Sequence, residues 1–428
     1  MLFHQFKEQI FLNNRSYLFN LVSLMFIFLP LSLATGPFLP DFFLSMIALY
    51  FLCLTFKNKL FNYYKNIFVY IFGIFVAYII INGLFSSDPY SSLILYNGPL
   101  FYFRYLFFIL GAWYLIDQNP NLIKYFTYTL VFVILFVIVD GLFQWSTGVN
   151  FFGFTPTPNR IPGVFNDEEI LGHFLAHVVP LAFALLLYMI NFGKKQIILL
   201  MLFLVLSEVM IFITNDRAGF LRIFQFTLLL IFLSNRFKLF RIISFLTSLI
   251  LIAVILNFST YSQERYIKGT IDDVTSTKIP YMPWSPMHER HFALAFNFFK
   301  ESPIFGNGPQ FFKYTCINKP ELFGCTSQPH NIYFQTLAEL GIVGLSFLIL
   351  GFLYVSFILF KQFLNVWFLK KDKLYIPDYL VSLYSLTFIF LWPLIPHGSF
   401  YNNWINSMIF LPVPFILYFR KKFNNQKF

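Results

Sequence analysis

Charge is scarce in this chain: 11% of its 428 residues are Asp, Glu, Lys or Arg. A chain that is also 58% hydrophobic and 22% aromatic does not read as a water-soluble globule. Three cysteines occur, and no Cys/His spacing resembles a metal site. There is no phosphate-cradling loop ending in Gly-Lys-Ser/Thr and no G-x-S-x-G elbow. The alternation of apolar and polar residues that a membrane β-barrel needs is missing, because the apolar runs are continuous. No repeat period, low-complexity segment or separable soluble domain is present.

What is present is a succession of apolar runs of about 20 residues, the length that crosses a bilayer as an α-helix. The fold class expected is an all-α polytopic membrane protein, one helical domain over residues 1–428. Twelve spans are predicted, at about 17–35, 38–56, 67–85, 100–116, 125–145, 170–190, 197–213, 218–233, 239–256, 332–360, 379–396 and 403–419. The first follows "HQFKEQIFLNNR", is too long for a signal-peptide core and lacks a cleavage site, so it reads as a retained helix.

The net charge of +11 is distributed as cytoplasmic loops require, which argues against nucleic acid as a partner. "KNKLFNYYK", "NFGKKQ", "SNRFK", "KKDK" and the tail "RKKFNNQK" all fall on one side. Apart from the connection at about 257–331, the opposite side carries only Arg160 and Arg217 as basic residues. Both termini are therefore expected in the cytoplasm.

Two connections on the outer side are long, about 146–169 and about 257–331. The second contains Cys316 and Cys325, which in an oxidising compartment either bridge locally or stay as two thiols. The outer side also collects Arg160 with Asp167, Glu168 and Glu169, then Asn215-Asp216-Arg217, then His288-Glu289-Arg290-His291, and finally His330. Each has a plain alternative. Arg217 anchors a helix end at the interface, the acidic run caps the sixth span, and His330 caps a helix or satisfies a carbonyl.

Taken together they suggest more. Guanidinium groups hold phosphate in a bidentate fork, and a histidine titrating near neutrality takes a proton from a hydroxyl. Asn331, Gln335 and Glu339 continue from His330 at helical spacing, as a polar stripe that either is satisfied inside the bundle or lines a site. Ionisable residues inside spans, Arg104, Asp140, Glu208, Arg222 and Glu339, keep a transport function open as well.

Several of these stretches resemble the O-antigen ligase and polymerase superfamily of bacterial inner-membrane proteins. His330-Asn331, nine residues, then Gly341 and Gly344 match the ligase signature, although Ser346 stands where that signature continues with Thr. Arg217 and Leu221 match a second element, and "HERHFALAFNFFKESPIFGNGPQFF" is similar to the family's arginine-bearing loop, with Arg290 as the arginine. "NRIPGVFNDEEILGHFLAHVVPL" and "WPLIPHGSFYNNWINSMIF" resemble two further stretches of such proteins.

The resemblance implies a fold related to the membrane glycosyltransferases, with a periplasmic cavity and a catalytic loop at about 257–331. It implies no cofactor and no metal. The donor implied is a glycan on undecaprenyl diphosphate, and the acceptor is lipid A-core or a second lipid-linked glycan, all among membrane lipids. By motif, Arg217, Arg290 and His330 are the expected catalytic residues, with Arg160, Asn331, Gln335 and Glu339 as substrate-binding groups. Ligase and polymerase share that donor and are not separated here. Gly341 and Gly344 are expected to permit close helix packing.

Overall fold

The structure is a computed structural model that describes residues 16–157, 160–190, 193–276, 284–369 and 375–425. The charged stretch before the first span, "KKDK" and the last residues of the basic tail lie outside the described residues, as does 277–283 of the long loop.

The first nine predicted spans are each a helix: α1 Tyr17–Leu33, α2 Phe38–Asn58, α3 Ile67–Leu84, α4 Phe103–Gln118, α5 Asn121–Thr147, α6 Leu171–Met189, α7 Lys194–Ile213, α8 Arg217–Leu233 and α9 Lys238–Phe258. An additional helix, α10 Pro286–Glu301, lies within the long loop, followed by α11 Ile332–Leu364, α12 Asp378–Phe390, α13 Asn403–Phe410 and α14 Pro412–Asn425. Among the described residues, eight helices are long and apolar enough to cross a membrane, whereas α1 and α12 are shorter apolar helices. The last predicted span is interrupted at Leu411, because Pro412 brings no N–H to continue the ladder.

Helix starts follow local chemistry. Ser16, Asn66, Asp216, Asn331 and Asn402 each accept a backbone N–H with the side chain at an N-terminus. α6 is buried nearly all round and forms the centre of the bundle, while α9 exposes long apolar side chains such as Leu239 and Ile250 along most of its length. Exposed leucines and isoleucines of this kind suit lipid as the surrounding solvent.

The intramembrane charges are wired to neighbours. Arg104 pairs with Asp41 at 2.9 Å. Asp140 accepts from the Phe151 N–H at 2.9 Å, and Glu208 accepts from the hydroxyls of Thr227 and Ser248. These contacts satisfy groups that are costly to leave bare in hydrocarbon.

A second, smaller core stands apart from the bundle. Leu294, Ala295 and Phe298 of α10 pack with Phe312, Cys316 and Ala338. Apolar residues recur along α10 at helical spacing, so one face seats on the start of α11, where Phe292 stacks on Phe334 at 4.5 Å. The structure joins Cys316 and Cys325 in a disulfide beside this core.

Candidate active site

The N-terminus of α8 is brought against α6 by two glycines. A Cβ on Gly219 would lie 2.8 Å from the Gly172 carbonyl oxygen, and one on Gly172 would lie 2.4 Å from Thr214 Oγ1. This close crossing fixes Asp216, which caps α8 by accepting from the N–H groups of Ala218 and Gly219, both at 3.1 Å. Arg217 follows and leaves the helix axis towards the outer layer. Its guanidinium donates to Thr270 Oγ1 at 3.2 Å and pairs with Asp273 at 2.7 Å, with 30% of the side chain exposed.

Arg265, which sequence reasoning passed over, belongs beside it. Burial lowers its pKa first, and the positive charges of Arg217 and Arg160 lower it further. The carboxylates of Asp273 and Asp216 act on it in the opposite sense. Arg160 itself pairs with Glu169 at 3.2 Å and donates to the Glu169 carbonyl at 3.0 Å. The bond from Tyr261 Oη to the Thr157 carbonyl and the stack of Tyr266 on Phe212 at 4.4 Å tie the turn that carries Arg265 to these loops. A basic residue in "QERYIK" was the only sequence signal.

Arg290 goes elsewhere. Its guanidinium lies over the Phe323 ring at 4.9 Å, beside the disulfide loop. Its neighbour His291 is the residue that turns inward, because three-residue steps along α10 put His288 and His291 on one face.

His288, His291 and His330 form a group, with ring centroids 5.7 Å apart for both pairs that involve His330 and 6.4 Å for the third. His291 Nδ1–H donates to the Gly324 carbonyl at 2.7 Å, and His288 Nδ1 bonds Ser285 Oγ at 2.8 Å. Burial followed by repulsion from His330 and His291 pushes His288 down to about 4. His330 is lowered by burial and then by His291. The neutral, proton-accepting form of His330 is thus favoured. The Arg217 charge lowers His288 as well, more weakly than the two histidines do.

The polar stripe after His330 faces protein. Asn331 caps α11 by accepting from Tyr333 N at 2.9 Å, and its amide donates to the Pro393 carbonyl at 2.8 Å. Gln335 accepts from Phe400 N at 2.9 Å and donates to Ser399 Oγ at 3.3 Å. Glu339 is fully buried and accepts from Phe312 N at 3.2 Å and from Gln335 at 3.4 Å. All three therefore connect the histidine loop to the segments around 310 and 391–400.

Gly341 has a different task from the packing expected of it. At φ 63° and ψ −163° it breaks α11, in a region that only glycine enters readily. The backbone groups released there are taken up by residues 303–308. Asn307 N and Gly308 N donate to the carbonyls of Ala338 and Glu339 at 3.2 and 2.9 Å. Ile342 N and Val343 N donate to those of Pro303 and Ile304 at 3.0 and 3.2 Å. From α3, Tyr78 Oη donates to the Leu340 carbonyl at 2.7 Å and Asn82 to that of Phe305 at 2.6 Å. A broken helix near the membrane is tolerated when its loose groups are satisfied in this way. The break binds the outer layer to the bundle directly below His330.

An apolar cavity of about 280 Å³ opens between Leu31, Phe132, Phe136, Phe152 and Phe154, and contains none of these site residues. Among the described residues no cluster of three or more His, Cys, Asp or Glu is arranged to hold a metal ion.

The helices and their composition define a multi-pass α-helical membrane protein. A family model described as O-antigen ligase matches residues 200–349, the stretch that holds Arg217, Arg265, the three histidines and Gly341. No curated protein matches the chain. The family match supports membership in the O-antigen ligase superfamily, and with it a ligase- or polymerase-type function in surface polysaccharide biosynthesis.

Proposed function

We propose that the chain is a bacterial inner-membrane glycosyltransferase that moves a glycan from undecaprenyl diphosphate to a sugar hydroxyl of lipid A-core. The observation that carries this reading is the His288, His291 and His330 group, with Arg217 held on Asp273 and Thr270 of the same outer layer. Both termini are assigned to the cytoplasm and this site to the periplasm, from the basic loops at the other end. Residues 257–331 form the catalytic layer of a single membrane domain in this reading.

The diphosphate enters at the arginines and displaces Asp273 from the Arg217 fork, so that guanidinium charge stabilises the leaving group as the glycosidic bond breaks. His330, neutral at working pH, takes the proton of the acceptor hydroxyl as its oxygen attacks the anomeric carbon. Undecaprenyl diphosphate leaves and the configuration inverts. Arg290 acts from α10, over Phe323 of the disulfide loop, at the edge of the site rather than beside Arg217. Asn331, Gln335 and Glu339 support the wall behind His330.

A polymerase would use the same groups with a lipid-linked repeat unit as acceptor, and Ser346 in place of the ligase threonine favours keeping that reading. The test is transfer by purified protein from an undecaprenyl-diphosphate glycan, without nucleotide or metal. One product on lipid A-core identifies a ligase, and a ladder of lipid-linked chains identifies a polymerase. His330→Ala must abolish transfer while donor binding persists. No product with either acceptor, using donor from the native host, refutes both and turns the reading towards transport of the lipid-linked glycan.

A further inference from the structure

The backbone of His330 is held in the left-handed region at φ 56°, a conformation unfavourable for a residue with a Cβ. Such a conformation persists only where surrounding contacts impose it. Here the contacts come from residues 391–400, the connection between α12 and α13. The His397 N–H donates to the His330 carbonyl at 2.8 Å. On either side, Asn331 donates to the Pro393 carbonyl at 2.8 Å, Tyr333 Oη to that of Leu391, and Phe400 N to Gln335 at 2.9 Å. With the Gln335 bond to Ser399 Oγ at 3.3 Å, five ties fix the 330–335 stretch to this connection.

The connection is itself gripped from behind. Arg222, 1% exposed, donates through one guanidinium nitrogen to the Pro396 carbonyl and through another to His173 Nδ1 at 3.2 Å. Among the described residues no carboxylate lies within ion-pair distance of it, so this buried charge is spent on a backbone carbonyl and a neutral ring. A buried cation without a paired anion is costly, and a hydrophobic residue of that volume would serve packing better. The planar fork does what such a residue cannot, by tying α6 and residue 396 from one point.

Five residues separate Arg222 from Arg217, roughly 140° around the helix. The two guanidinium groups therefore leave α8 on different sides, one into the bundle and one into the outer layer.

We propose that Arg222 is the positioning residue for His330, acting through Pro396 and the His397 amide to aim the imidazole at the acceptor hydroxyl. The inference rests on the reading of His330 as the base. It links Arg222, inside the matched segment, to His330 through a connection, 391–400, that lies outside it.

The test compares wild type with Arg222→Met, which keeps the volume and removes the donors, and Arg222→Lys, which keeps the charge without the fork. kcat and donor KM for glycan transfer are measured with the undecaprenyl-diphosphate donor. In parallel, diethyl pyrocarbonate labelling of His330 and His291 is followed by peptide mass spectrometry, a readout that needs no turnover. The expected result is a kcat about 100-fold lower in Arg222→Met with donor KM within about twofold, and a changed ratio of His330 to His291 labelling. Arg222→Lys, which tests the same point should the methionine variant not accumulate, is expected to recover only part of kcat. A normal kcat with an unchanged labelling ratio overturns the proposal. So does a raised donor KM at normal kcat, which would make Arg222 a donor ligand. Absence of transfer in wild type with a labelling ratio that still changes would remove the base role and leave the positioning contact standing.

Discussion

Replacing Gly341 by alanine tests whether the break in α11 is what joins the outer layer to the bundle. A Cβ there would lie 2.4 Å from the Ile304 carbonyl oxygen and 2.6 Å from Gly306 N, both backbone atoms that cannot rotate away. Keeping the present backbone would cost about 1–3 kcal/mol in dihedral strain alone, before any steric term. The other course is to straighten α11 and expel residues 303–308. That gives up four cross-segment backbone hydrogen bonds, worth about 0.5–1.5 kcal/mol each in net terms. Strain and clash together raise the joined state by about 3 kcal/mol relative to the opened one, a factor of roughly a hundred in its population. The assay is amide hydrogen exchange with mass spectrometry on peptides spanning 303–312, where the Asn307 and Gly308 N–H groups report the joint directly. Exchange about 100-fold faster is expected in Gly341→Ala. Gly351→Ala on the same helix meets nothing closer than Leu391 Cδ1 at 3.9 Å and should leave exchange unchanged. Equal protection of 303–312 in wild type and Gly341→Ala would refute the argument.

Other substitutions probe the chemistry. Arg217→Lys and Arg265→Gln should each raise donor KM about tenfold, and Asp273→Asn should lower it, because the fork no longer has a carboxylate to release; steady-state kinetics would separate these signs. The acidic limb of kcat/KM should lie below the ordinary imidazole value of 6.5, since burial and His291 depress His330 and protonation removes the base. His291→Asn deletes a like charge, raises the His330 pKa and should move that limb to higher pH; a pH profile in which it moves down contradicts the assignment. Cys316→Ser with Cys325→Ser opens a short loop whose closure is worth about 2–3 kcal/mol on chain-entropy grounds, and a thermal unfolding shift in the outer layer should report it.

The amino-acid sequence by itself determined the helices and the membrane class. Hydropathy over some twenty residues and the capping side chains are local quantities, so the first nine predicted spans emerged as helices within a few residues, whereas 379–396 ends at Phe390 and 403–419 is split at Leu411. Motif spacing likewise marked Arg217 and His330, because the resemblance resides in consecutive residues.

Tertiary structure decided how polar groups are partnered. The spacing of Glu339 left open a stripe satisfied inside the bundle or lining a site, and the fold satisfies it through Phe312 N, 27 residues away. Arg290 sat in the motif, yet the turn of α10 gives His291 the inward place and leaves Arg290 on Phe323, while Arg265 joins Arg217 from a turn with no motif at all. Gly341 could be read for packing or for a break, and only the arrival of residues 303–308 made the break affordable in hydrocarbon. Burial of apolar surface is set by composition along the chain, whereas a buried donor or acceptor takes whichever partner the fold carries to it, and that partner is usually distant in sequence.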